Sequence, residues 1–228
     1  YQVACVLVAA AELDVFGTLG SERLAAGPLA ARLGADARGT TVLLDALTAM
    51  GLLAKRGTEY EVPQTVAEAL TEGGSGSVLA MVRHQASCLR RWAQLAEVVK
   101  SGRPAERVPS IRGEAADRAA FIGAMDEVSA PIAAELVEQL QPLEFGHLLD
   151  VGGASGTWTI ALLRAVPGAR ATLFDLPDAI RLARQRIADA GLTARVTFAP
   201  GDFYTDVLPA GADFALCSAI AHQNSREQ

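Results

Sequence analysis

Residues 147–158 constrain this chain most. His147, Leu148, Leu149, Asp150 and Val151 make a short, mostly apolar run containing an acid, Gly152, Gly153 and Gly156 follow within five positions, and Thr157, Ile160 and Leu163 then recur at helical spacing. The pattern predicts a buried parallel strand, a tight turn and a helix N-terminus. Glycines at the turn let the chain reverse sharply and let a ligand approach main-chain N–H groups that a Cβ would shield. The positive helix end behind them favours a carboxylate or phosphate by roughly 0.3–1 kcal/mol.

The spacing narrows the choice of anion. A dinucleotide fingerprint wants glycine at the first, third and sixth positions, and counted from Gly152 these are Gly152, Ala154 and Thr157. That disfavours a pyrophosphate and with it a nicotinamide-dependent oxidoreductase. No Lys-Ser or Lys-Thr closes the turn, so a phosphate loop fails as well. On the glycines alone, a plain strand-to-helix connection remains open.

After Gly146 the chain alternates strand and helix, the pattern of a doubly wound α/β sheet. Strands are expected near 147–151, 170–174, 194–199 and 213–217, and helices near 156–165 and 177–190. At 228 residues the chain exceeds a typical domain. Three segments are expected: a winged-helix-like region over 1–100, linking helices over 101–145, and the α/β part over 146–228. Cys5, Cys88 and Cys217 lie far apart without metal-ligand spacing and are expected to be small core residues in a reducing, cytoplasmic compartment, with no metal site. No apolar run is long enough to span a membrane, and both ends of the chain read as cut within an element, so about another hundred residues are expected beyond Gln228.

The first part reads as short helices and a hairpin. Ser21 is a candidate helix N-cap, Pro28 suits the first turn of a helix ending at Gly34, and Leu43, Leu44, Leu47 and Met50 share a face before Gly51. Residues 52–62 alternate around Gly57, a small wing. Helices plus a wing form a winged-helix shape, which elsewhere binds DNA. The candidate recognition helix offers Arg38, Thr40, Thr41, Asp45 and Thr48, and the net charge is −6, so a packing or dimerisation module is favoured over nucleic-acid binding. Two longer helices are expected next, over 77–100 and over 116–140, the second interrupted by Pro131.

Two acids after successive strands point to the ligand. Asp175 ends the second α/β strand 23 positions after Gly152, close to the roughly 20 of an acid that binds ribose hydroxyls. Gly201-Asp202-Phe203 ends the third, where the acid can accept from an exocyclic amine and the ring offers a stacking face. An adenosyl ligand fits this pair.

The chain resembles the class I S-adenosylmethionine-dependent small-molecule O-methyltransferases, a family that includes plant caffeate and acetylserotonin-type enzymes and bacterial antibiotic-tailoring relatives. The residues that carry the resemblance are Asp14-Val15-Phe16, Gly51-Leu52-Leu53, Trp92, Asp150-Val151-Gly152-Gly153, Phe174-Asp175-Leu176-Pro177, Gly201-Asp202-Phe203 and His222. It implies a Rossmann-like parallel sheet, incomplete at the C-terminus, preceded by an all-α winged-helix dimerisation domain that makes a homodimer. It places S-adenosylmethionine on Asp150, Gly152, Gly153, Gly156, Asp175, Leu176, Asp202, Phe203 and Ser218, with the methionine part on the glycine turn. His222 falls where the family carries its general base, and Trp92, Phe121 and Met125 would wall the pocket of a small, aromatic, hydroxylated secondary metabolite. No nucleic-acid or membrane partner is implied. Three positions depart from the family pattern: Ala154 stands for the turn's third glycine, Ser218 for a lysine four positions before the histidine, and Gln223-Asn224 for Asp-Trp after it. Family members that methylate carbon or nitrogen, or do not methylate, remain alternatives, as does a ligand-sensing DNA-binding regulator with a degenerate methyltransferase domain.

Overall fold

The computed structural model describes residues 1–220 and 222. The chain divides into two compact units, Tyr1–Ala124 and Met125–Gln228.

The first unit opens with α1 (Gln2–Glu12) and α2 (Val15–Leu19), then a two-residue strand β1 (Leu24–Ala25), α3 (Ala26–Leu33) and α4 (Ala37–Ala49). The wing is β2 (Ala54–Arg56) and β3 (Glu59–Glu61), followed by α5 (Gln64–Leu70), α6 (Leu79–Trp92) and α7 (Leu95–Ser101). β1 adds to the hairpin in the antiparallel order β1-β3-β2. Ser21 lies in a turn before β1 and caps no helix. The cap signal belongs to Asp36, whose side chain accepts from the Gly39 N–H at 2.7 Å and starts α4 three residues before the expected Thr40. Gly34 closes α3 in the left-handed conformation that glycine tolerates best (φ 62°). Val15, Phe16, Leu19, Leu29, Leu44, Leu47 and Tyr60 form the core of this unit, and the Tyr60 hydroxyl donates to Asp45 at 2.8 Å.

The single helix expected over 77–100 is two helices. α6 stops at Trp92, and the side chain of Gln94 stands between the two, donating to the carbonyls of Arg90 and Glu106 and accepting from the Glu106 N–H. A side chain that bonds the backbone of a neighbouring loop competes with helix continuation, a preference that apolar periodicity does not register. α8 (Glu114–Gln139) continues through Pro131.

The second unit holds a four-stranded parallel sheet, β4 (His147–Val151), β5 (Arg170–Asp175), β6 (Val196–Pro200) and β7 (Phe214–Leu216), in the order β6-β5-β4-β7. α9 (Thr157–Ala165) and α10 (Pro177–Asp189) connect the first three strands. Leu148, Leu163, Leu173 and Ile187 are buried at its core. The order matters for function. The chain steps outward from β4 to β5 and β6, then crosses to the other side of β4 for β7, so the sheet has a switch point between β4 and β7. Ligands of open α/β sheets bind outside the carboxyl ends of the strands at such a point. Cys5 and Cys217 are exposed and Cys88 is half-buried, so the cysteines are not the core residues expected from their spacing.

Candidate active site

Parallel register brings the carboxyl ends of the strands together. Val151 lies opposite Phe174, Asp175 opposite Pro200 and Asp150 opposite Leu216. The glycine turn, Asp175 and the Gly201-Asp202-Phe203 loop therefore share one edge of the sheet, although 51 positions separate Gly152 from Phe203.

The turn is built from side chains beneath it. Gly152, Ala154 and Gly156 have φ of 68°, 46° and 80°. Gly153 is glycine for another reason: a Cβ there would stand 2.8 Å from Leu173 Cγ and 2.9 Å from Asp150 Cγ. Ile220, after β7, packs its side chain against Gly152, and His222 is exposed. The Asp150 carboxyl is buried and accepts from the Thr159 hydroxyl at 2.6 Å. Burial pushes it up to about 6, with the nearby Asp175 carboxylate adding to the rise and the Thr159 hydroxyl opposing it.

Asp175 reaches back under the turn. Its carboxylate accepts from the N–H of Ala154 at 2.7 Å and of Leu176 at 2.6 Å. Burial raises it above the ordinary carboxylate range, and those two N–H groups oppose the rise. The loop after β6 is tied to the same point, since the Gly201 N–H donates to the Asp175 carbonyl at 3.0 Å. A Cβ at Gly201 would meet the Phe174 ring at 2.5 Å. Asp202 accepts from the Tyr204 N–H at 2.9 Å, and its own N–H donates to Asp206 at 2.8 Å. Phe203 packs on the cluster of Leu149, Val151 and Phe174. The Asp175 carboxylate, beside the turn, keeps lone-pair capacity for hydroxyl donors, whereas the Asp150 carboxyl, at 1% exposure, is enclosed beneath the turn and supports it.

The remaining expected residues are distributed as follows. Leu176 is exposed beside Asp175. Trp92 and Phe121 belong to the first unit and are exposed, with the Phe121 ring 5.1 Å from His84, and Met125 is half-buried where the second unit begins. His147 starts β4, the strand end opposite the turn, and its Nε2 lies 2.8 Å from the Thr172 hydroxyl. That is a structural histidine.

Three participants were not legible in the sequence. The N–H of Ala154 carries no side-chain signal. Asp206 lies in an irregular loop. Asp126, on α8, accepts from the Thr157 hydroxyl and pairs with Arg186 of α10, and no motif or periodicity links those three positions.

Comparison with known proteins gives the family of the chain. A model of the O-methyltransferase domain matches residues 92–228, and a model of the O-methyltransferase dimerisation domain matches residues 1–72. The tetracenomycin polyketide synthesis 8-O-methyl transferase of Streptomyces glaucescens is 36% identical over 224 residues, which cover 95% of this chain and 65% of that protein. The 3-hydroxy-5-methyl-1-naphthoate 3-O-methyltransferase of Streptomyces sahachiroi is 33% identical over 97% of this chain and 66% of its own length. The chain thus spans just under two thirds of these relatives. Among solved structures, the mitomycin 7-O-methyltransferase superposes with a TM-score of 0.82 at 27% identity, covering 98% of this chain and 69% of that one. Human N-acetylserotonin methyltransferase in complex with SAM gives 0.73 at 29% identity, covering 94% and 66%.

Proposed function

The chain belongs to the O-methyltransferase family, and from that premise we propose that the protein is an S-adenosylmethionine-dependent O-methyltransferase that methylates a hydroxyl of a small aromatic secondary metabolite. The observation that carries this reading is the joining of the glycine turn to Asp175 through the Ala154 N–H. The site fits an adenosyl amino acid. Each Asp175 oxygen accepts one backbone N–H and keeps lone-pair capacity for a ribose hydroxyl. Asp202 and Phe203 stand one strand further along the same edge, where an adenine would reach an acceptor and an apolar face.

When bound, S-adenosylmethionine supplies an electrophilic methyl group on a sulfonium. The chain's own residues hold and orient. The turn of Gly152, Gly153 and Gly156, packed closely on the side chains beneath it, borders the methionine part, and Asp150 supports it from below. Leu176 and Ser218 border the cofactor. His222, which falls where the family resemblance puts a general base, accepts the proton of the acceptor hydroxyl on its imidazole as the oxygen becomes nucleophilic. Imidazole suits this task because its ordinary pKa lies near neutrality. Trp92, Phe121 and Met125 wall the acceptor pocket, and the first unit pairs two copies into a homodimer, consistent with the dimerisation model that matches it. No helix among the described residues is long and apolar enough to cross a membrane, and the protein is read as cytoplasmic.

Isothermal calorimetry on the full-length protein tests the reading. S-Adenosylhomocysteine binds and NADH does not; the reverse result, or no binding of S-adenosylhomocysteine, overturns it. Methyl transfer to a panel of phenols and hydroxylated polyketides then identifies the acceptor.

A further inference from the structure

Asp126 ties three helices together at the glycine turn. It lies on α8 directly after Met125, accepts from the hydroxyl of Thr157, the first residue of α9, and forms an ion pair with Arg186 of α10. The Thr157 Oγ1 is also 3.0 Å from the Ser155 Oγ and 3.4 Å from Arg186 Nη1. Ser155 and Thr157 are buried, at 3% and 8% exposure. The network therefore clamps both residues that flank Gly156, and Ser155 adjoins Ala154, the left-handed residue whose N–H meets Asp175. A turn with three residues at positive φ does not hold one conformation by backbone preference. Something must over-determine it.

We propose that Asp126 is the positioning residue of the cofactor turn. Through the Thr157 and Ser155 hydroxyls it holds the turn in the form that presents Ala154 to Asp175. The carboxylate also sits at the positive end of α9, where negative charge is favoured. Arg186 of α10 pairs with the same carboxylate and fixes its orientation toward Thr157. This rests on the methyltransferase reading of the same site.

The test is calorimetric titration of the full-length protein with S-adenosylhomocysteine. Asp126→Ala and Thr157→Val each weaken binding roughly tenfold, the scale of one lost hydrogen bond to a charged group. The double variant is no weaker than the worse single one, because both cut the same link. Thr157→Ser keeps the hydroxyl and restores wild-type affinity, a rescue that general destabilisation would not produce. If Asp126→Ala fails to fold, the Thr157→Val and Thr157→Ser pair decides. Wild-type binding with unchanged affinity in Thr157→Val and Asp126→Ala overturns the positioning role alone, as does full additivity in the double variant. Absence of wild-type binding overturns the methyltransferase reading and this proposal with it.

Discussion

The backbone N–H of Ala154 donates to the Asp175 carboxylate at 2.7 Å, joining residues 21 positions apart. The bond makes the glycine turn and the acid of the next strand one unit. It also explains why a residue with a Cβ is held at φ 46°: the left-handed conformation aims its N–H at Asp175, and the Asp126 clamp keeps it there.

Holding alanine in that conformation costs about 1 kcal/mol relative to glycine. Ala154→Gly is therefore expected to raise the melting temperature by about 2–4 °C for a chain of this size. Differential scanning calorimetry checks it; an unchanged or lower midpoint would mean that Ala154 carries no strain.

Removal of Asp175 should disconnect the site. Asp175→Ala leaves the Ala154 and Leu176 N–H groups without their acceptor and takes away the partner proposed for the ribose. S-Adenosylhomocysteine affinity should fall roughly 10- to 100-fold, since bonds to a charged group are worth about 1.5–3 kcal/mol each. Calorimetric affinity within a factor of two of wild type would remove Asp175 from the cofactor site.

Asp150 should make stability depend on pH. Its carboxyl titrates near 6 when folded and at its ordinary 3.8 when unfolded. Between those values the folded chain binds more protons, so the contribution is fully present below about 4 and is lost as pH rises through about 6. The loss is on the order of 2–3 kcal/mol, and Asp175, also raised, adds a slope of the same sign. Asp150→Asn keeps an acceptor for Thr159 without the titration. Urea midpoints near pH 4 and pH 7 should show the variant gaining on wild type at the higher pH; a constant difference would mean an ordinary Asp150.

His222→Ala in the full-length protein should lower kcat by roughly 10²–10⁴-fold, the usual contribution of a general base, while leaving S-adenosylhomocysteine affinity unchanged. Full turnover in the variant would refute the base role.

Most elements of the second unit were legible because strand and helix periods differ and glycines punctuate them. The expected strand at 147–151 is β4, and that at 170–174 extends by one residue to Asp175. The break at Gln94 escaped, since hydrogen bonds from one amide to a distant loop leave no periodic trace. Cys217 was misplaced for a related reason: an apolar run predicts burial only where a neighbouring layer covers it, and the residue is exposed.

The sequence by itself determined the elements, the turn and the acids after successive strands, because these depend on local backbone preference, hydrophobic period and fixed spacing. Tertiary structure alone decided which groups meet. Parallel register set Asp175 under Ala154, burial raised the Asp150 carboxyl, and helix packing brought Asp126 to Thr157 and Arg186. Contacts of that kind follow from distances and desolvation that only the folded chain defines, and the composition of the strand, turn or helix involved does not encode them.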